Sequence, residues 1–348
     1  MNQKLTGKQY TLLASMLFGM FFGAGNLIFP IILGAKAGAS LVPALLGMLI
    51  TAVGMPLLGI VALGVSRSSG LMQMSGRVAK WYSYFFTCAL YLTIGPFFAI
   101  PRCAATSFTM GIAPLVSGSH TVPQAIFTTL FFAAVLFFAL RPNNIMNSIG
   151  KYLNPIFLIC LGILVVAALL DPIQSVGSVA ASGAYADNAF STGFLQGYDT
   201  LDALASLAFG IIVVNVIKEM GVEEPGAIAK NTIKSGVFSM VLMTVIYALI
   251  AIVGAQSYGL YVDQLGEPSF NGGNAFAIVA QHYLGKAGMI VLALTVTFCC
   301  MKTAIGLVTA CADTFSVMFP RSLSYRSWAI VFTAFSLLVS NIGLSKII

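Results

Sequence analysis

The first long apolar segment of the chain is interrupted by Phe21-Phe22-Gly23-Ala24-Gly25-Asn26, and this stretch decides how the whole sequence is interpreted. A second apolar segment, in the other half of the chain, contains Ser206-Leu207-Ala208-Phe209-Gly210. Interrupted spans at corresponding positions of two halves are the best sequence indication of a transporter's binding site. The pattern therefore predicts a transporter whose site lies between two broken helices.

The composition is that of a protein embedded in lipid. Hydrophobic residues make up 59% of the chain and charged residues only 8%, whereas roughly a quarter of the residues in a soluble domain are charged. The mean hydropathy is +0.96. Because lipid offers no partners for backbone N–H and C=O groups, repeated apolar runs of ~20 residues predict membrane-spanning helices. We therefore expect an all-α, polytopic membrane protein.

The apolar runs predict nine spans in one membrane domain that covers residues 1–348. The connection from Asp171 to Leu195 is rich in Ser, Ala and Gly, and it divides the domain into halves at residues 1–170 and 196–348. The predicted spans lie near residues 9–33, 41–64, 80–113, 122–140, 150–170, 196–217, 232–256, 286–316 and 325–344.

The distribution of positive charge predicts the orientation in the membrane. If the N-terminus is cytoplasmic, twelve lysines and arginines fall on the inner side, and only Lys36, Lys286 and Lys346 fall outside. The positive-inside rule favours this orientation for a multi-pass protein of the cell (cytoplasmic) membrane. The net charge of +7 then reflects topology and attraction to anionic lipid headgroups, and we expect no nucleic-acid partner.

The first interruption has the chemistry of a ligand site. Gly23 and Gly25 each lower helix propensity by up to ~1 kcal/mol, and Pro30 removes a backbone donor. Unwound backbone at mid-membrane offers N–H groups to a carboxylate and carbonyls to a cation or an ammonium group, and Asn26 adds an amide. The alternative is close helix packing, because Gly19 and Gly23 also form a small-xxx-small pattern. The second interruption favours the ligand site.

Four segments of the chain carry a family resemblance: Phe22–Pro30, Gly95–Arg102, Gly197–Leu204 and Thr303–Leu307. They resemble the signature segments of the branched-chain amino acid:cation symporter family. The resemblance covers the whole chain and implies a LeuT-type fold, an inverted repeat of five plus five helices. It also implies import of leucine, isoleucine and valine with Na⁺ or H⁺ by alternating access. The family usually has twelve spans, so with nine the second repeat is expected to lack its last helix.

The resemblance assigns substrate-binding residues to the two interruptions. Phe22 and Phe209 would enclose an apolar side chain, although ordinary core or lipid contact is the alternative for each apolar residue. The substrate-binding residues implied by the resemblance are Phe22, Gly23, Ala24, Gly25, Asn26, Ser206, Leu207, Ala208, Phe209 and Gly210.

The resemblance also implies a cation site between spans one and eight. Its ligands would be the carbonyls of Gly19, Phe22 and Cys299 and the side chain of Thr303, because hard cations take oxygen ligands. The family commonly has a second threonine where this chain has Lys302. The Lys302 ammonium would either stand in for the coupling cation or bend towards the inner aqueous side, leaving Na⁺ to bind beside Thr303.

A charged residue inside a span indicates function by default. Arg102 in span three either snorkels to the outer surface or pairs with Asp202 or Asp199 as an outer gate. The sequence contains neither His-Glu-x-x-His nor Gly-x-Ser-x-Gly, so we expect no enzyme and no cofactor beyond the coupling cation. A transporter-like amino acid sensor or a channel is the alternative, because broken helices also build selectivity filters.

Overall fold

The computed structural model describes residues 5–66, 68, 70–141 and 154–347, and this part of the chain is helical without β-strands. Two helices, Phe157–Leu170 and Tyr325–Ser340, are apolar but shorter than a full span. Six longer helical stretches can each cross a membrane: Ala24–Ser66, Lys80–Leu115, Thr121–Ala139, Ala184–Glu219, Pro225–Gln256 and Gly272–Met318. The all-helical membrane class is confirmed, while the count of nine spans and the inverted repeat stay predictions.

The predicted interruption of the first span is confirmed. Helix α1 covers Gly7–Phe21 and helix α2 covers Ala24–Ala37. The break is capped from within, because the Asn26 side chain folds back and its Oδ1 accepts a hydrogen bond of 2.8 Å from the Gly23 N–H. That bond removes the donor that would otherwise serve the Gly19 carbonyl, so the end of α1 presents carbonyls without helical partners.

The rest of the first half consists of helices with three internal deformations, one of which is a π-helical segment over Phe108–Ile112. A π-turn over Ile50–Gly54 joins α3 to α4. A kink at Gly95, whose ψ is −119°, separates α6 from α7. The helices are α3 Leu41–Leu49, α4 Met55–Ser66, α5 Leu71–Gly76, α6 Lys80–Leu92, α7 Ala99–Ser107, α8 Thr121–Ala139 and α9 Asn154–Leu170.

The second half also begins with a broken helix. Within the helical stretch Gly272–Met318, Gly285 has φ +60° and separates a short helix from a long one. The helices are α10 Ala184–Tyr198, α11 Asp202–Glu219, α12 Pro225–Gln256, α13 Gly272–Met318, α14 Tyr325–Ser340 and α15 Leu344–Ile347.

The predicted connection from Asp171 to Leu195 is wrong in its second part, because the chain is helical from Ala184 onward. Its small residues allow close helix packing. A side chain on Gly193 would collide with the Ala44 carbonyl of α3, and one on Gly197 would collide with Thr51. Gly, Ala and Ser are frequent both in flexible loops and at close contacts between membrane helices. Composition alone therefore does not distinguish the two, and the prediction of a loop fails here for that reason.

The second break does not lie at Ser206–Gly210, which is continuous helix within α11. It lies at Asp199–Leu201, where Leu201 adopts a left-handed conformation with φ +65°. Gly210 is a packing glycine, because a Cβ there would press against Leu63 of α4. The predicted position is therefore wrong by about two turns.

Candidate substrate and cation site

The two breaks meet at a buried cavity of about 30 Å³ in the middle of the bundle. Helices α1 and α11 lie side by side there, and the ring centroids of Phe21 and Phe209 are 5.6 Å apart. The cavity has about the volume of one water molecule in the liquid, so an amino acid fits only after the surrounding helices move. The wall consists of Met20, Phe21, Gly23, Ala24, Gly25, Asn26, Ile94, Ala99, Arg102, Cys103, Thr200, Leu201, Asp202, Ala205, Phe209, Thr303 and Leu307.

The structure places only part of the predicted substrate set on this wall. Gly23, Ala24, Gly25, Asn26 and Phe209 line the cavity, whereas Phe22, Ser206, Leu207, Ala208 and Gly210 do not.

Two of the residues that lie off the wall have other contacts. The Phe22 ring packs against Phe18 and Phe157, with both centroid distances 5.1 Å. The Ser206 hydroxyl donates to the Ala203 carbonyl of its own helix at 2.7 Å. Because the second break lies at Asp199–Leu201, that side of the cavity is built by Thr200, Leu201, Asp202 and Ala205.

Sequence reasoning missed Thr200, Leu201 and Ala205 and assigned Asp202 to an outer gate, although a signal for the second break was present. Asp202 lies in the first turn of α11, and the Thr200 hydroxyl accepts a hydrogen bond of 3.4 Å from the Asp202 N–H. Threonine followed by an acid just before an apolar run is typical of a helix start. This pattern, rather than the glycine at 210, marks the second break.

A buried hydrogen-bond network joins the two breaks. The Asn26 side-chain Nδ2 donates to Asp202 Oδ2 at 2.6 Å, and the Tyr247 hydroxyl of α12 donates to the same oxygen at 2.9 Å. Asn26 Nδ2 also donates to the Tyr247 oxygen. All three side chains are at most 3% exposed. Asn26 thus caps the first break with its oxygen and contacts the second break with its nitrogen.

Arg102 binds the second break through the backbone. Its Nη1 donates to the Asp199 carbonyl at 2.6 Å and its Nη2 to the Thr200 carbonyl at 3.0 Å. The predicted pairing of Arg102 with the side chain of Asp199 or Asp202 is therefore wrong. The reason is that carbonyls at the end of α10 lack helical partners, and a guanidinium with five N–H donors can satisfy several of them. Arg102 is 5% exposed, so it does not snorkel, and its role as a gate stays a prediction.

Three of the residues predicted for the cation site, Phe22, Cys299 and Thr303, come together between α1 and α13. The Cys299 thiol donates to the Phe22 carbonyl at 3.2 Å, and the Thr303 hydroxyl donates to the Cys299 carbonyl at 3.4 Å. Gly23 packs against Thr303 so closely that a Cβ there would lie 3.0 Å from the hydroxyl oxygen. With the carbonyl of Gly19 at the end of α1, this region offers the oxygen ligands that a hard cation needs.

Lys302 lies inside the bundle beside the same region. Its side chain is 2% exposed, and its Nζ lies 5.4 Å from the ring centroid of Phe157 on α9. A cation over an aromatic face is stabilised by the ring quadrupole. Since the Phe157 ring also packs against Phe22, the ammonium group lies near the broken end of α1 and does not bend to an aqueous surface.

Two larger cavities lie at opposite ends of the bundle. One, of about 680 Å³, is lined by Lys36, Asp199 and Tyr258 among others. The other, of about 580 Å³, is lined by Lys80 and Asp313 among others. The first cavity contains Lys36, which precedes the helical stretch 41–66, and the second contains Gly70 and Leu71, which follow it. Because a helix of this length extends about 39 Å, the two cavities lie at different ends of the bundle. The small central cavity therefore lies between two wider ones.

A helical membrane bundle in which two broken helices meet at a buried central cavity is the architecture of secondary transporters. The fold is similar to that in a crystal structure of MhsT in complex with L-phenylalanine, with a TM-score of 0.64 and 16% sequence identity. The match covers 97% of this chain and 80% of that one. At this identity the likeness shows the fold alone, which is the LeuT-type fold.

The family model described as branched-chain amino acid transport protein matches residues 6–348. Branched-chain amino acid permease BrnQ of Lactobacillus delbrueckii subsp. lactis is 50% identical over 100% of this chain and 77% of its own length. The permease of the same name from Bacillus subtilis (strain 168) is 42% identical over 100% of this chain and 78% of its own length. The chain belongs to the branched-chain amino acid transport protein family, as the sequence analysis predicted.

Proposed function

We propose that the protein is a secondary active transporter that imports leucine, isoleucine and valine through the cell membrane, with its N-terminus in the cytoplasm. The substrate class is supported by the relatives, which are named branched-chain amino acid permeases. The observation that carries the proposal is the central cavity, where both breaks expose backbone and the wall contains Arg102, Asp202 and several apolar side chains. Such a wall suits a zwitterion with an aliphatic side chain.

The mechanism that fits this geometry is alternating access. The central cavity lies between two wider cavities at opposite ends of the bundle, so a site that opens to one end at a time needs only local movements of the broken helices. We infer that the chain crosses the membrane nine times and forms two inverted repeats. The support is that each half begins with a broken helix, which is α1–α2 in the first half and α10–α11 in the second. The second half then begins at Ala184 and not at residue 196.

The coupling ion in this proposal is Na⁺ or H⁺, and Na⁺ binds at Gly19, Phe22, Cys299 and Thr303. The Lys302 ammonium, buried beside Phe22 and Phe157, replaces the metal cation in part, so that dependence on Na⁺ is weak. Leucine uptake is measured with Na⁺ replaced by choline at several pH values, in wild type and in Lys302→Thr. Lys286→Thr, at an exposed position of the same helix, is the matched control.

The result expected from this experiment is weak dependence on Na⁺ in wild type and in Lys286→Thr, and stronger dependence in Lys302→Thr. Strong dependence on Na⁺ in wild type that Lys302→Thr leaves unchanged contradicts the replacement of the metal cation by Lys302.

Uptake into proteoliposomes tests the transporter itself. With an imposed sodium or proton gradient, labelled leucine is expected to accumulate inside to above its external concentration, and isoleucine and valine are expected to compete. A channel would bring leucine only to equilibrium, and a sensor would bind it without moving it. Either of these two results contradicts the proposed function.

A further inference from the structure

The central cavity contains one guanidinium and one carboxylate that do not bind each other. Arg102 donates to the carbonyls of Asp199 and Thr200, and the Asp202 carboxylate accepts from the neutral side chains of Asn26 and Tyr247. Charges at the depth of a membrane are costly and mark functional sites. Two opposite charges on one cavity wall, each held by neutral groups, match the two charges of an amino acid.

The negative side of the cavity has an oxygen available. The two hydrogen bonds that the Asp202 carboxylate accepts from Asn26 and Tyr247 both fall on Oδ2. Because Asp202 lines the cavity and carries a second oxygen, Oδ1 can accept from a ligand. A primary ammonium group carries three donors and no acceptor, so it is the complementary group.

The positive side combines a helix N-terminus with the guanidinium. Helix α2 begins at Ala24, and its first N–H groups have no acceptor within the helix. Gly25, in this first turn, lies against Arg102, because a Cβ there would be 3.1 Å from Nη2. A helix N-terminus beside a guanidinium favours an anion through its dipole and through charge-assisted hydrogen bonds. A carboxylate fits this side.

We propose that Asp202 binds the α-ammonium group of the substrate and that Arg102, together with the first turn of α2, binds its α-carboxylate. This inference rests on the proposed function and names the residues that recognise the two charged groups. The aliphatic side chain of the substrate then faces Ile94, Phe209 and Leu307, the apolar part of the wall. Arg102 would bind the substrate carboxylate while it also donates to the Asp199 and Thr200 carbonyls of the second break. Substrate binding and the position of that break are therefore linked.

Ligands that lack one charged group test the assignment of each residue. Dissociation constants are measured by calorimetry on the purified chain in detergent for leucine, for 4-methylpentanoate without the ammonium group and for 3-methylbutylamine without the carboxylate. Asp202→Asn is expected to reduce the preference for leucine over 4-methylpentanoate by at least about tenfold, since a hydrogen bond to a charged group contributes ~1.5–3 kcal/mol. Arg102→Gln is expected to reduce the preference for leucine over 3-methylbutylamine by a similar factor.

The controls separate recognition from folding. Asp313→Asn removes an acid of α13 that lines a different cavity, and it is expected to leave both preferences unchanged. If Asp202→Asn does not fold, Asp202→Glu retains the carboxylate and is expected to keep the preference for leucine over 4-methylpentanoate.

Four results distinguish this inference from the proposed function. Equal loss of affinity for all three ligands in the Asp202 and Arg102 variants indicates a structural role and overturns the inference, as does a preference that neither variant changes. A folded Asp202→Glu variant that loses the preference also overturns it. A wild-type chain that binds none of the three branched-chain amino acids overturns the proposed function instead.

Discussion

The two breaks that form the central cavity are built by different means. The first, at Phe22 and Gly23, is rich in glycine and is capped by its neighbour Asn26. The second, at Asp199–Leu201, contains no glycine, and its carbonyls are held by Arg102 from α7, about a hundred residues away along the chain. One break is therefore specified by local sequence and the other by tertiary contacts.

The largest effect is expected at the first break, from Gly25→Val. A Cβ at Gly25 would already lie 3.1 Å from Arg102 Nη2 and 3.2 Å from the Thr200 Cα, and valine adds two methyl groups to it. Leucine binding should fall by at least about a hundredfold, because the added bulk separates the two breaks. The measurement is equilibrium binding of labelled leucine.

The matched control for this substitution is Gly162→Val. Gly162 lies on α9, where a Cβ would meet no atom within 4 Å, so the variant should bind leucine normally. Unchanged affinity in a folded Gly25→Val variant would contradict the placement of the site.

The next largest effect, from Arg102→Ala, is expected at the second break and not at the first. Arg102→Ala leaves the Asp199 and Thr200 carbonyls without their donor. Amide hydrogen exchange at residues 199–203 should accelerate at least about tenfold, because the loss of even one of these two hydrogen bonds costs ~1.4 kcal/mol. Exchange at residues 22–26 should change far less, because Asn26 caps that break locally. Arg141→Ala, an exposed position, should change neither region. Equal acceleration at both breaks would show that Arg102 stabilises the bundle as a whole.

A smaller effect is expected from two glycine-to-alanine substitutions. In Gly23→Ala the new methyl group meets the β-branched side chain of Thr303 at 3.0–3.1 Å, so overpacking should cost about 1–2 kcal/mol of stability and weaken leucine binding. In Gly210→Ala the methyl group meets only the flexible end of Leu63, and the gain in helix propensity offsets that contact. Thermal unfolding and leucine binding check both variants. A Gly210→Ala variant that keeps its stability but loses leucine binding would argue for a functional break at 206–210.

The smallest effect concerns Leu201, whose left-handed backbone strains a residue with a Cβ. Leu201→Gly removes this strain but increases the freedom of the unfolded chain, so the free energy of unfolding should change by less than about 1 kcal/mol. Leu201→Val should destabilise the protein more, because a β-branched residue is poorly tolerated at positive φ. Equal free energies of unfolding for Leu201→Val and Leu201→Gly would contradict the left-handed conformation at Leu201.

The first break is capped by a residue close in sequence and the second is stabilised by a distant one, and this difference explains what could be predicted from the sequence. Composition and apolar periodicity are sufficient for the helical membrane class, and Gly23, Gly25 and Asn26 mark the first break because its cause is local. The second break could not be located by glycine content, since Gly210 and Gly197 serve helix packing. Thr200 and Asp202 at the start of α11 indicate the position of the second break. The hydrogen-bond donors that stabilise this break, however, belong to Arg102.

The side-chain partners were the least predictable part of the site. Arg102 and Asp202 were both identified as functional, yet the expectation that opposite charges pair was wrong because unpaired carbonyls at a helix end compete for the guanidinium. Tyr247 was missed entirely. It lies in an apolar helix, and only the fold brings its hydroxyl to Asp202.

The central claim is that a branched-chain amino acid binds where the two breaks meet. The most direct test is an experimental structure of the chain with leucine bound. We predict leucine between Gly25 and Asp202, with its carboxylate at Arg102 and the start of α2 and its ammonium group at Asp202. Leucine found instead only in the end cavity beside Lys36 and Asp199, with the central cavity still closed, would contradict the account.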